Sequence, residues 1–301
     1  MRASAPARPR RLAYFGNPDA AVAPLVALYE ASETLGLEVV MVITAEDRRR
    51  SRGGKPSPTP VGAAAIELGL PIAHELVDAV DSGADLGVVV AYGHIIPISI
   101  LERLPMLNLH FSLLPRWRGA APVERALLAG DPWTGVCLID VAEALDCGDV
   151  RGRAQTSIGA DETADDLRDR LSKLGAKLLV EELAKGLSEG EAQKGQPIWA
   201  HKITMDELLL DWSHPAHDLH RVVRVGGART TFRGKPLKVW RAVPCGTSDS
   251  TAIPGKLVGD VVETGAGGLR ILEVQSPNRN RITFPAWAAG TRPVDGEGFG
   301  S

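Results

Sequence analysis

From Leu107 to Pro115 the chain reads Leu-Asn-Leu-His-Phe-Ser-Leu-Leu-Pro, so an amide, an imidazole and a hydroxyl recur at every second position: Asn108, His110 and Ser112. On a β-strand, positions i and i+2 project from one face, which puts these three together and Leu107, Leu109 and Phe111 on the other. An amide and an imidazole can both donate hydrogen bonds to a developing negative charge, and the imidazole can also exchange a proton. Asn and Ser are poor strand formers, and nothing structural asks for them here, so the row reads as the wall of a ligand crevice. The run continues Arg116-Trp117-Arg118-Gly119-Ala120-Ala121-Pro122, and a later turn, Leu145-Asp146-Cys147-Gly148-Asp149, supplies carboxylates.

The elements that must hold this row alternate between strand and helix. Strands are expected over about 11–17, 37–44, 71–74, 86–92 and 106–112, with helices over about 19–34, 60–68 and 97–103. Continuous apolar strands alternating with helices imply a Rossmann-like open, mostly parallel sheet covered on both faces, which binds ligands at the carboxyl ends of its strands. Gly16 marks a tight strand-to-helix turn but stands alone. Without the G-x-G-x-x-G pattern a dinucleotide cofactor, and with it a dehydrogenase, is disfavoured. A long amphipathic helix over about 161–187 carries Leu167, Leu171, Leu174, Leu178 and Leu179 at helical spacing, a core stripe.

The 301 residues suit about two domains. The expected division is a loose tail over 1–10, a catalytic domain over 11–190, a linker over 191–204 and a second domain over 205–301. The second part has its own texture, a helix near 214–225 followed by short Gly-punctuated strands (about 230–243, 256–263, 268–275 and 279–284), which predicts a small antiparallel β-barrel. Its charge differs too: residues 201–301 carry net +3 and residues 1–200 net −6. Another cationic feature is the loop holding Arg48, Arg49, Arg50 and Arg52, whose density of guanidinium groups points to phosphate contact.

Three widely spaced cysteines, Cys137, Cys147 and Cys245, form no C-x-x-C pair and fit a reducing, cytoplasmic setting rather than a disulfide or zinc framework. No window has the apolar length of a membrane span. His214, His217 and His220 recur every third residue, but no cysteine cluster or acidic set completes a coordination sphere. They read as a polar helix face, and no metal is expected.

The run from Asn108 to Pro122, with Thr134-Gly135-Val136 and Leu145-Asp146-Cys147-Gly148-Asp149 after it, closely resembles the folate-dependent formyltransferases. Tyr14-Phe15-Gly16-Asn17-Pro18-Asp19, Pro56-Ser57-Pro58, Val88-Val89-Val90-Ala91-Tyr92-Gly93, Asp211-Trp212 and Lys238-Val239-Trp240 extend the likeness over nearly the whole chain. Within the family it is most similar to the branch whose acceptor is methionine carried on initiator transfer RNA. The resemblance implies 10-formyltetrahydrofolate as formyl donor, a catalytic trio of Asn108, His110 and Asp146, and folate contact by Ser112, Leu113, Leu114 and Pro115. It also implies an OB-like second domain that supports the tRNA, and contact of Arg48, Arg49, Arg50 and Arg52 with the acceptor end. A monomer is expected. Asp149 is the rival to Asp146, although a turn-forming role suits it better.

Relatives that formylate glycinamide ribonucleotide or sugar nucleotides share the Asn-x-His-x-Ser core, and a hydrolase would replace the amine with water. The trio therefore fixes the reaction better than the acceptor. A non-catalytic RNA-binding module is the remaining alternative. Two departures from the family pattern stand out: Val225-Gly226-Gly227-Ala228-Arg229-Thr230-Thr231 where a Pro- and Trp-containing turn is common, and Cys147 where Thr or Ala is usual.

Overall fold

The structure, a computed structural model, describes residues 3–49, 55–246 and 253–300. The chain groups into two compact units: Met1–Pro122 with Trp133–Ser157 and Arg168–His201, and Val123–Pro132 with Ile158–Leu167 and Lys202–Ser301. Along the chain, β1 (Arg11–Gly16) leads through α1 (Val22–Leu35) to β2 (Glu38–Ile43), the short pair β3 (Arg48–Arg49) and β4 (Pro56–Ser57), and α2 (Pro60–Glu67). Next come β5 (Ile72–Ala73), α3 (Leu76–Asp81), β6 (Leu86–Val90), α4 (Ile98–Leu101) and β7 (Met106–His110). The chain continues with β8 (Arg118–Gly119), α5 (Pro122–Ala129), β9 (Trp133–Asp140), β10 (Val150–Ser157), α6 (Ala164–Lys185) and β11 (Trp199–Ala200).

Seven of these strands form one sheet in the order β10-β9-β7-β6-β1-β2-β5. The pairs from β5 to β7 are parallel, while β9 runs antiparallel to both β7 and β10. From β1 the chain first builds outward through β2 and β5, then returns to the other side of β1 with β6 and β7. That reversal opens a crevice at the carboxyl ends of β1 and β6. The parallel strands can sit there because they are apolar on both faces: all five residues of β6, Leu-Gly-Val-Val-Val, are buried. Asn17 ties the strand ends together, its Oδ1 accepting from Thr44 Oγ1 (3.0 Å) and the Ala45 amide (2.8 Å) while its Nδ2 donates to Tyr92 O.

Local signals set the helix ends. Thr59 caps α2 by accepting from the Gly62 amide at 2.9 Å, with Pro60 in the first turn. Thr163 and Asp166 form a reciprocal cap at the start of α6, each accepting the other's amide at 3.2 Å. Of the expected stripe on α6, Leu167, Leu171, Leu178 and Leu179 are buried and Leu174 is partly buried, and each buried leucine contributes about 1.5–3 kcal/mol by leaving water.

The second unit holds α7 (Ala216–Val225), β12 (Ala228–Phe232), β13 (Lys235–Cys245), β14 (Leu257–Val258), β15 (Val261–Glu263), β16 (Gly268–Gln275), β17 (Ile282–Thr283) and α8 (Phe284–Thr291). Its strands pair in the order β12-β13-β16-β15-β14, with β17 on β16, all antiparallel. Trp212, Phe232, Phe284, Trp287 and Phe299 are buried in its core with Leu219, Val239 and Ile271. No helix among the described residues is long and apolar enough to cross a membrane.

Several elements differ from the sequence expectation. The single strand expected over 230–243 is a hairpin, turned by Arg233 (φ 50°) and Gly234 (φ 68°), both left-handed as a two-residue hairpin turn demands. The segment near 279–284 contributes only the short β17 before α8 begins, with Thr283 at its cap position and Pro285 in its first turn. Strands β9 and β10 extend the sheet beyond β7, in a stretch where no strand is expected from the sequence. Finally, β7 stops at His110, and Ser112 lies in the turn beyond it, its amide bonded back to His110 O at 2.9 Å.

Candidate active site

The site is built on β7 and on the excursion from Val141 to Asp149 that joins β9 to β10. Antiparallel pairing sets His110 opposite Cys137 and Asn108 opposite Ile139. The neck of the excursion is closed by the Asp140 amide bonded to Asp149 O at 2.9 Å and by Arg151 Nε on Asp140 Oδ1 at 2.8 Å. Gly148 is required at this neck, since a Cβ there would stand 1.8 Å from Asp140 O. The excursion carries Asp146, in a left-handed conformation (φ 52°), to the Asn108 and His110 side chains.

Asp146 is the hub. Asn108 Nδ2 lies 3.4 Å from its Oδ1, and His110 Nδ1 lies 3.5 Å from its Oδ2. The His110 and Asp146 side chains are 6% and 8% exposed. The shortest contact is the Gly119 amide, which donates to Oδ2 at 2.8 Å. Both distances to the trio partners exceed the roughly 2.7–2.9 Å of a tight charge-assisted bond, so the carboxylate is held by the backbone and only loosely by its two functional neighbours. On the far side of the ring, His110 Nε2 lies 2.8 Å from Trp117 O. A carbonyl can only accept, so Nε2 carries a proton and Nδ1 is the nitrogen turned to the carboxylate.

The folate segment divides by burial. Ser112 is fully buried and its hydroxyl donates to Arg116 O at 2.6 Å, closing the turn. Leu114 packs inward with Cys137, Ile139 and Val150. Leu113 and Pro115 are partly exposed, and Pro115 O accepts from the Ile198 amide at 3.2 Å. Strand β8 pairs in parallel with β11, Arg118 with Trp199 and Gly119 with Ala200. Gly119 has φ 118°, and a Cβ on it would meet Ala200 O at 2.9 Å, so glycine is what lets its amide point at Asp146.

Of the cationic loop, Arg48 and Arg49 are exposed on β3, paired with Ser57 and Pro56. Arg50 and Arg52 lie outside the described residues. Asp149 is exposed, and its main chain closes the neck. Burial pushes the Cys137 thiol up, away from the thiolate form, while Cys147 Sγ donates to Ala144 O at 3.1 Å. His214, His217 and His220 face three different carboxylates, Asp211, Asp218 and Asp161. Among the described residues no group of three or more His, Cys, Asp or Glu is placed to hold a metal.

Four participants were not singled out in the sequence: the Gly119 amide, Trp117 O, Arg118 and Gln193. The first three lie inside a motif the sequence did mark, where Arg118 and Gly119 are visible as residue types but the main-chain contacts of Trp117 and Gly119 are not. Gln193 sits in a stretch with linker composition.

A parallel-dominated sheet with an Asn-His-Asp cluster at the carboxyl end of β7, followed by an antiparallel β unit, defines the class. The chain belongs to the formyl transferase family: residues 10–183 match the formyl transferase model and residues 202–292 match the formyl transferase C-terminal domain. It is 40% identical to the methionyl-tRNA formyltransferase of Heliobacterium modesticaldum, over 96% of this chain and 100% of that one. It is 41% identical to the methionyl-tRNA formyltransferase of Methylococcus capsulatus, over 91% of this chain and 94% of that one. Among solved structures, HypX from Aquifex aeolicus in complex with tetrahydrofolic acid superposes with a TM-score of 0.66 at 17% identity, covering 96% of this chain and 48% of that one. The sugar 3N-formyl transferase WlaRD superposes with a TM-score of 0.61 at 15% identity, covering 90% and 99%. At such identities these two establish the fold alone.

Proposed function

We propose that this protein transfers the formyl group of 10-formyltetrahydrofolate to the amino group of methionine carried on initiator tRNA, with Asn108, His110 and Asp146 as the reacting groups. The observation that carries the reading is the meeting of the Asn108 amide and the His110 ring on one carboxylate, at 3.4 Å and 3.5 Å.

The neutral amine attacks the formyl carbon, forming a C–N bond and pushing the carbonyl electron pair onto oxygen. Collapse of this tetrahedral species breaks the bond to the folate nitrogen, which leaves with a proton, while the former amine gives one up. Asn108 donates to the oxyanion through Nδ2, and His110, whose Nε2–H is held by Trp117 O, donates through Nδ1 in its doubly protonated form beside the Asp146 carboxylate. Their long contacts to Asp146 support this role, because a loosely held donor can turn to a substrate oxygen at little cost. Asp146 accepts the proton from the attacking amine and keeps the imidazole oriented. The formyl group arrives activated, so no cysteine nucleophile is needed.

Folate lies along residues 112–115. Given the inward turn of Ser112 and Leu114, its contacts come from Leu113, Pro115 and the main chain, with Ser112 shaping the turn. The cationic loop with Arg48, Arg49, Arg50 and Arg52 meets the acceptor end of the tRNA. Residues 11–190 serve as the catalytic domain and residues 205–301 as the OB-like tRNA support, joined by the 191–204 linker and preceded by the 1–10 tail. The protein acts as a cytoplasmic monomer.

An acceptor panel tests this: methionine-charged initiator tRNA, the same tRNA uncharged, and an amino-sugar nucleotide, each with 10-formyltetrahydrofolate. Formylation of the charged tRNA alone is expected. Transfer to the sugar alone would overturn the acceptor, and donor consumption without any acceptor would indicate a hydrolase.

A further inference from the structure

Asp146 occupies a left-handed conformation, which a non-glycine residue adopts at a cost and keeps only when its surroundings fix it. Neither functional neighbour is close enough to do so, at 3.4 Å and 3.5 Å. Two other contacts restrain it: the Gly119 amide on the carboxylate, at 2.8 Å, and Gln193 on the main chain. Gln193 Nε2 donates to Asp146 O at 2.8 Å and to Gly148 O at 2.9 Å, using both amide protons on the main chain that carries the acid. Its Oε1 accepts from Arg118 Nε at 3.1 Å and from Arg118 Nη2 at 2.7 Å, which uses both acceptor sites. Arg118 directly precedes Gly119, whose amide donates to the Asp146 carboxylate.

One side chain therefore spans both halves of the clamp, the turn that carries the carboxylate and the strand that receives it. Gln193 is itself anchored two residues away, where Val150 and Glu191 exchange main-chain hydrogen bonds of 2.8 Å and 2.9 Å. A segment of linker composition is thus tied to the sheet at one point and to the acid at the next.

We infer that Gln193 is a positioning residue for Asp146, setting the carboxylate's distance to His110 and Asn108 through the Asp146 and Gly148 carbonyls and through Arg118. This rests on the reading of Asp146 as the proton-handling group. Because Gln193 acts through Asp146, its contribution exists only while Asp146 is a carboxylate.

The test is a double-mutant cycle with single-turnover formyl transfer as readout. Gln193→Glu is the primary variant, since it keeps size and a partner for Arg118 but removes both donors. Gln193→Met is the second, so that at least one folded variant is compared at matched thermal stability. The expected result is a fall in the transfer rate of about 10- to 100-fold, with KM for folate and for charged tRNA within about 3-fold of wild type. In an Asp146→Asn background the same substitution costs less than about 3-fold more. Wild-type rates for Gln193→Glu alongside a dead Asp146→Asn would overturn this inference and leave the site reading standing, as would losses that multiply in the double variant. Wild-type turnover by Asp146→Asn would overturn both.

Discussion

His110 Nδ1 stands 3.5 Å from Asp146 Oδ2, with both side chains nearly sealed from solvent, although 36 residues of sequence separate them. The pairing is made by the sheet, because β9 returns antiparallel to β7 and delivers the Val141–Asp149 excursion to the row on β7.

Asp146 and Asp149 share a turn, but only the first reaches the trio. Asp146→Asn is expected to lower the transfer rate by about 100- to 10,000-fold, the span of a lost proton-transfer group, with circular dichroism unchanged. Asp149→Asn, at an exposed position whose main chain makes the structural bond, is expected to stay within about 3-fold of wild type. Equal losses in both would mean that the turn as a whole, rather than one carboxylate, is being disturbed.

Gly148→Ala places a methyl group where Asp140 O stands 1.8 Å away, a clash with main chain that no rotamer relieves. The neck must open, which carries Asp146 away from His110. Urea unfolding is expected to show a loss of about 1–3 kcal/mol, and the folded fraction should have lost most of its transfer activity.

Cys147 adjoins the acid but bonds to Ala144 O, and the chemistry has no step for a thiol. Cys147→Ala is expected to retain at least half of the wild-type rate, and the same holds after treatment of the wild type with a reductant. A loss beyond 10-fold in the alanine variant would give the thiol a role.

In the second unit, the Arg125 guanidinium hydrogen-bonded to Glu207 holds its carboxyl down at about 2 against an ordinary 4.5, with the Thr204 amide (2.9 Å) adding to the effect. A depressed carboxyl stabilises the fold above its unfolded value and loses that contribution as pH falls through the folded one. Glu207→Gln should therefore lower stability at pH 7 and flatten the decline between about 4.5 and about 2. Denaturant midpoints across that range check it, and parallel curves for wild type and variant would remove Glu207 from the acid transition.

Much of the arrangement was legible before folding, for reasons that differ from residue to residue. Asn108 and His110 could be paired because strand geometry has a fixed period of two, and the parallel sheet because its strands are apolar throughout. Asp146 could be joined to them only through the family resemblance, since nothing local says where a loop returns. Ser112 was carried one step too far along the strand: the turn that buries its hydroxyl against Arg116 O begins at Phe111. The Arg233-Gly234 hairpin went unseen because Arg is an unusual residue for the first left-handed position. Helix α8 was hidden behind the short β17, although Thr283 and Pro285 mark its start. Gln193 had no signal at all. An amide in a polar stretch looks like solvated linker until the two carbonyls it bridges are in place.

The most direct measurement is single-turnover formyl transfer from 10-formyltetrahydrofolate to methionine-charged initiator tRNA by wild type and by His110→Asn, with donor binding measured separately. His110→Asn is expected to bind folate normally and to transfer at least about 100-fold more slowly, since an amide replaces a ring that can carry positive charge to the oxyanion and exchange a proton. Transfer within a few-fold of wild type, with the fold intact, would contradict the assignment of the His110–Asp146 pair as the reacting centre.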